Sequence, residues 1–163
     1  MRFCDFERPT KMFEIKTNSI HLPNKINIMN NQLIQFFAEN DRYAKLTGIE
    51  ICEAGKGYCK AKLKIEEKHL NAANVVQGGV VFTLADVAFA VASNSHGQLA
   101  LAVNVNITFL KSVSDGSLYA TAKEISDPKR LGAYDVFVHN EHNELIARFN
   151  GLVYRKNEKI LSD

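Results

Sequence analysis

One carboxylate is conspicuous for where it sits. Asp86 lies within residues 80–95, a run that also holds Val81, Phe82, Leu84, Ala85, Val87, Ala88, Phe89 and Val91. The length of the run and its alanines favour helix over strand. A helix that is apolar on every side must be buried on every side. Burying an unpaired carboxylate costs several kcal/mol, or raises its pKa until it is neutral. Asp86 is therefore either bonded to backbone groups or a buried lysine, or it is a catalytic carboxylate in an apolar cleft or subunit interface. The helix start favours the second reading. Gly78 and Gly79 carry no side chains to block approach, so backbone N–H groups there can face a ligand oxygen. Donors aimed at a carbonyl oxygen, together with a carboxylate, are the parts of an acyl-transfer site.

The flanking elements show what must hold these residues. Residues 1–28 contain Pro9 and Pro23, scattered charges and no clear period. They read either as an upstream extension before a start at Met29, or as an ordered arm packing on a partner subunit. Met29 to Asn40 reads as a short amphipathic helix. Cys59, Ala61, Leu63 and Ile65 alternate with Lys60, Lys62, Lys64 and Glu66, which predicts a half-buried strand with a solvated lysine row serving as edge protection. Gly55-Lys56-Gly57 pairs it with residues 47–54 as a hairpin.

After the long helix the pattern is all strand. Residues 99–113 alternate, with Leu99, Leu101, Val103, Val105, Ile107 and Phe109 on one face. Strands at 117–125, 132–139 and 144–155 follow, joined by Ser114-Asp115-Gly116, residues 126–129 and Asn140 to Asn143. Consecutive hairpins imply antiparallel pairing. The expectation is an α+β fold, a curved antiparallel β-sheet wrapped around one long central helix.

Composition narrows the function. The chain has 163 residues, 20 Lys+Arg against 18 Asp+Glu, and 46% hydrophobic residues. That balance excludes a disordered chain and argues against a dedicated nucleic-acid binder. The longest apolar run, Val80 to Ala92, is 13 residues with Asp86 inside it, too short for a membrane span. The N-terminus lacks the apolar core of a signal peptide. Cys4, Cys52 and Cys59 form no CxxC, so they are expected to be small buried hydrophobes in a reducing compartment, with the cytoplasm as default. No His/Cys/Asp spacing suits zinc, and His69, His139 and His142 read as turn or surface residues.

The segment from His69 to Asp86, His-Leu-Asn-Ala-Ala-Asn-Val-Val-Gln-Gly-Gly-Val-Val-Phe-Thr-Leu-Ala-Asp, resembles the signature of hotdog-fold acyl-CoA thioesterases, and most of all their phenylacetate-degradation PaaI subgroup. That signature reads H-x-N-x-x-G-x-x-H-G-G, followed by an apolar helix carrying the Asp. Val103 to Lys111 and Gly151 to Arg155 are similar to two later strands of the family. The resemblance covers roughly residues 38–156 and implies a hotdog domain over 29–156, with 1–28 as an N-terminal extension and 157–163 as a tail.

It also implies roles. Asp86 matches the general base or nucleophile, and Gly78 matches the glycine whose N–H polarises the thioester carbonyl. Asn71 matches the asparagine that holds the catalytic water or the carboxylate. Asn104 falls where many members place a Ser, Thr or Asp on the partner subunit's strand. Gly79, Phe82, Lys111 and Arg130 are the further substrate-binding candidates, the two cations toward the phosphates of coenzyme A. Two positions depart from the signature. Gln77 replaces the histidine of H-G-G and can hydrogen-bond but not titrate. Asn74 replaces a glycine, and Asn is the next-best residue for positive φ.

The implied activity is hydrolysis of acyl-CoA thioesters, aryl-acetyl or medium-chain, to free acid and CoA. No cofactor is implied beyond the CoA ester as substrate. The implied assembly is a homodimer or homotetramer with its sites at the dimer interface. Gln77 and Asn74 motivate the alternative, a module that binds acyl-CoA without cleaving it. A hotdog dehydratase lacks support because the histidine motif of those enzymes is not visible.

Overall fold

The computed structural model describes residues 25–126 and 129–161. Residues 1–24 of the N-terminal segment with Cys4, positions 127 and 128 of the 126–129 loop, and the last two residues of the tail lie outside them. The elements are α1 (Lys25–Asn40), α2 (Arg42–Thr47), β1 (Ile49–Gly55), β2 (Tyr58–Lys64), a short 3-10 turn (Glu67–His69), α3 (Gly78–Asn94), β3 (Gln98–Phe109), β4 (Ser117–Ser126), β5 (Leu131–Asn140) and β6 (Leu145–Lys159).

The sheet is antiparallel in the order β1-β2-β4-β5-β6-β3. The chain leaves β2, runs through α3, and crosses to the opposite edge as β3. All six strands touch α3, so the sheet wraps the helix as expected. Leu84, Ala85, Ala88, Val91 and Ala92 of α3 are buried against the sheet. Phe89 anchors the middle, its ring centroid 5.5 Å from Tyr134 and 5.4 Å from Phe149. Gly151 on β6 makes room for that ring, because a Cβ there would lie 2.7 Å from Phe89 Cζ. Phe89 is 1% exposed and cannot retreat. We expect Gly151→Ala to cost about 1–3 kcal/mol through overpacking, measured by urea denaturation.

Several sequence expectations change. The first helix is followed by α2, which starts because Asp41 caps it, accepting from the N–H groups of Tyr43 and Ala44. Gly48, with φ of 76°, ends it. β2 lies between β1 and β4, so its lysines protect no edge. They cover the outer face instead, with Lys60 and Lys62 lying 5.5 and 5.7 Å from the Tyr119 ring centroid. Cys59 is buried as expected, but Cys52 is exposed, because it alternates with the inward-facing Ile49 and Ile51 and so falls on the outer face of β1. β6 continues to Lys159, beyond the expected end at Arg155, and the Ile160 N–H donates to Gly97 O.

β3 does not keep one apolar face. Val103 is inserted between Ala102 and Asn104, which pair with Val153 and Leu152, and this bulge reverses the alternation. Ala100 points inward before it, and Val105 and Ile107 pack on the core after it. Leu101 and Val103 are left 47% and 58% exposed on an edge strand. α3 is not buried all round either. Gly79 is exposed, and Phe82, Thr83, Asp86 and Ala90 are only half-buried. Their spacing puts them on one face of the helix, the face that carries Asp86.

Candidate active site

The site begins in the loop that delivers the chain to α3. His69, expected at a turn or surface, closes its 3-10 turn but is buried, 2% exposed. Its Nδ1 accepts from the Glu66 N–H at 3.0 Å, and its Nε2 donates to Thr47 O at 2.9 Å. Both ring nitrogens are thus spent on structure. Asn71 Oδ1 accepts from the N–H groups of Ala73 (2.8 Å) and Val75 (3.4 Å), so this side chain shapes the loop and leaves only its amide nitrogen for a ligand. Asn74 takes φ of 57°, as its replacement of glycine requires. The Gln77 N–H donates to His69 O, and the Val76 N–H to Val113 O. The last residues before the helix are therefore pinned.

Gln77 is the N-cap of α3, and its Oε1 accepts from the Gly79 N–H. This residue serves as a cap at the position where the signature has histidine. The Gly78 N–H has no acceptor among the described residues. A Cβ on Gly78 would sit 3.1 Å from Phe109 Cζ, so glycine lets the end of β3 lie against the helix start. Beside it opens a cavity of about 290 Å³, lined by Gly78, Val81, Phe109, Lys111, Val113 and Ile146. Lys111 therefore joins Gly78, although its Nζ also pairs with Glu144 at 2.9 Å.

Asp86 stands on the open face of α3. No described residue hydrogen-bonds or pairs with its carboxylate. Burial raises its pKa above the ordinary carboxylate range, and the negative charge of Asp41 adds to the rise. Thr83 shares the face, with its hydroxyl donating to Gly79 O at 2.8 Å. Eight residues of α-helix rise about 12 Å. Gly78 and Asp86 of one chain therefore cannot meet at one small group.

The remaining candidates are dispersed. Phe82 packs edge-on against Phe149 at 5.5 Å and is partly committed to the core. Asn104 is exposed on β3, just past the bulge. Arg130 precedes β5 and donates to the Tyr154 hydroxyl at 2.7 Å. Asp41 escaped the sequence reading, although an Asp immediately before Arg-Tyr-Ala-Lys is an N-cap signal. Among the described residues no three or more His, Cys, Asp or Glu gather as a metal site, and no helix is long and apolar enough to cross a membrane.

A family model described as the Thioesterase superfamily matches residues 73–147, a span that holds both Gly78 and Asp86. The acyl-coenzyme A thioesterase PaaI of Escherichia coli is 36% identical over 118 residues, 72% of this chain and 84% of that protein. The chain belongs to the thioesterase superfamily. A protein of Archaeoglobus fulgidus is 46% identical over 124 residues, 76% of this chain and 80% of that one. The solved E. coli PaaI protein, from the phenylacetic acid degradation operon, superposes with a TM-score of 0.80 at 32% identity, over 84% of this chain and 100% of that one. The wrapped helix is thus the hotdog fold, and this thioesterase is PaaI-like. As an enzyme of this family it hydrolyses thioesters.

Proposed function

We propose that this thioesterase hydrolyses acyl-CoA thioesters to the free acid and coenzyme A, at a site where α3 of one subunit faces α3 of another. The observation that carries this is the pair of unspent groups on α3, the Gly78 N–H at its start and the Asp86 carboxylate on its open face. The N–H polarises the thioester carbonyl and receives the charge that develops on its oxygen. The carboxylate activates water or attacks the carbonyl carbon directly.

The 12 Å rise between them calls for a second chain. In a two-fold homodimer with antiparallel α3 helices, Gly78 of one subunit comes opposite the partner's Asp86. Edge strand β3 offers the surface for this, with unpaired backbone along one side and Leu101, Val103, Phe109 and Leu110 each about half exposed. Asn104 then reaches the neighbouring site from that strand. Lys111, beside Gly78, faces the phosphates of the CoA arm, whereas Arg130 of the same subunit sits against Tyr154 and Arg155 at the other end of β6 and does not join it. The homodimer is the minimal active unit.

Steady-state release of free thiol from acetyl-, octanoyl- and phenylacetyl-CoA tests the reading on purified protein. Many turnovers on at least one ester are expected. Because Gln77 is occupied as a cap and cannot titrate, a binding module is the competing outcome. Thermal stabilisation by the esters with no thiol released would establish that instead.

A pH dependence follows from Asp86. As a base it must be ionised, so kcat/KM falls with decreasing pH through a pKa above the ordinary carboxylate range. Asp41→Asn keeps a good capping residue on α2 but removes the charge that adds to the rise. Its acid limb is expected at lower pH than that of the wild type, in paired kcat/KM profiles. Superimposable limbs would contradict this assignment.

A further inference from the structure

The open face of α3 carries a second polar side chain beside the candidate carboxylate. Of its half-buried residues Phe82, Thr83, Asp86 and Ala90, two bear polar atoms, Thr83 and Asp86. Helix stability does not account for the threonine. Threonine is a poor helix former, and a hydroxyl bonded back to the carbonyl four residues earlier slightly destabilises the helix that holds it.

The partner of that hydroxyl fixes what it can do. Thr83 Oγ1 donates to Gly79 O at 2.8 Å, and a carbonyl can only accept. The single hydroxyl proton is spent there, so Thr83 offers the open face lone pairs alone. An ionised Asp86 is likewise only an acceptor. Residues three apart on a helix have Cβ atoms about 5–6 Å apart, and the Asp86 side chain leans toward the helix start, over the turn that holds Thr83. Two acceptors so placed cannot bond each other. A donor with two protons bridges them, since two hydrogen bonds of about 2.7–2.8 Å span the gap.

We infer that Thr83 Oγ1 and the Asp86 carboxylate together hold the water that attacks the thioester, an inference that rests on the thioesterase reading above. Thr83 accepts from the water proton that stays, and Asp86 accepts from the one that leaves. The water oxygen keeps a lone pair free for the carbonyl carbon. Its oxygen bonds to that carbon as one proton passes to Asp86. The C–S bond then breaks with its electron pair on sulfur. Asp86 returns the proton to that sulfur, and the products are the acid and coenzyme A. Asp86 is thereby a base, and Thr83 orients the nucleophile.

Thr83→Val keeps the shape and removes the oxygen, whereas Thr83→Ser keeps the oxygen. On the ester that the wild type turns over fastest, Thr83→Val is expected to lower kcat about 10- to 100-fold with KM within about twofold. Thr83→Ser is expected to stay within about threefold of wild type in both. Calorimetry with S-octyl-CoA, a thioether that is not hydrolysed, is expected to give the same affinity in both variants as in the wild type. A single wild-type turnover in isotopically labelled water, with enzyme in excess, is expected to put the label in the released acid. A Thr83→Val kcat within about twofold of wild type overturns the inference and leaves thioester hydrolysis standing. Unlabelled acid does the same, because the carboxylate would then attack directly. Lost affinity for S-octyl-CoA in Thr83→Val, or a Thr83→Ser as impaired as Thr83→Val, also overturns it and makes the residue structural. If the wild type releases thiol from no ester, the functional reading fails and this inference falls with it.

Discussion

Asp86→Asn is expected to abolish most hydrolysis and to leave the protein at least as stable as the wild type. Loss of a positioned base lowers kcat by roughly 10²–10⁴-fold. The side chain keeps its shape, so KM for the CoA ester changes little. Stability moves the other way because no described residue pairs with the carboxylate, and burial penalises its charged form. The folded-state pKa lies above the unfolded one, so between the two values the folded protein binds more protons. Wild-type stability therefore falls as pH rises through that window, and the variant does not share the fall. Thermal melts across about pH 4 to pH 8, beside steady-state kinetics, check both halves. A variant that keeps full kcat would remove Asp86 from the chemistry. One that loses much stability would make its role structural.

The second large effect is expected far from the site. Arg155 is 3% exposed, and its Nη2 donates to Glu124 Oε1 at 2.8 Å and to the Tyr134 hydroxyl at 2.9 Å. Tyr134 itself donates to Glu124 Oε1 at 2.8 Å, and His96 Nε2 lies 3.1 Å from the same oxygen. Gly132 makes the space, since a Cβ there would lie 2.7 Å from Arg155 Nη2. The network ties β4, β5 and β6 to the segment after α3. Arg155→Ala leaves a carboxylate and a phenol without their main partner, and we expect a loss of about 3 kcal/mol in urea denaturation. Arg155→Met together with Glu124→Leu should recover part of it, because the uncompensated charge is gone. A single-variant loss below about 1 kcal/mol would show that solvent replaces the arginine freely.

Those two residues illustrate what the sequence discloses. Asp86 was legible because one charge in an apolar run is anomalous on the chain alone. Arg155 was not, because its partners are 21 and 31 positions away and each looks like an ordinary strand residue. The strands were legible from their period of two, and the long helix from its length. The reversal in β3 was not, because one inserted residue, Val103, changes which face is inward without changing the composition. The open face of α3 was hidden for a related reason. Phe82 and Ala90 look the same on a chain whether the protein's own sheet covers them or another subunit does.

The candidate site shows the same limit. The identities of Gly78, Gln77 and Asp86 came from the sequence, and so did the turn at Asn74. Their relation in space did not. Spacing along the chain suggests one constellation, whereas the helix rise separates Gly78 from Asp86 by about 12 Å. The capping role of Gln77 and the clamp made by His69 also depend on which atoms meet, which residue types alone do not specify.

The central claim concerns where the thioester sits. A crystal structure of Asp86→Asn with an acyl-CoA ester bound addresses it most directly, because the variant should bind without turning over. The account predicts the thioester carbonyl oxygen about 2.7–3.1 Å from the Gly78 N–H of one subunit, with residue 86 of the partner beside the carbonyl carbon. An ester bound away from the start of α3, or a Gly78 N–H turned to another acceptor, would contradict it.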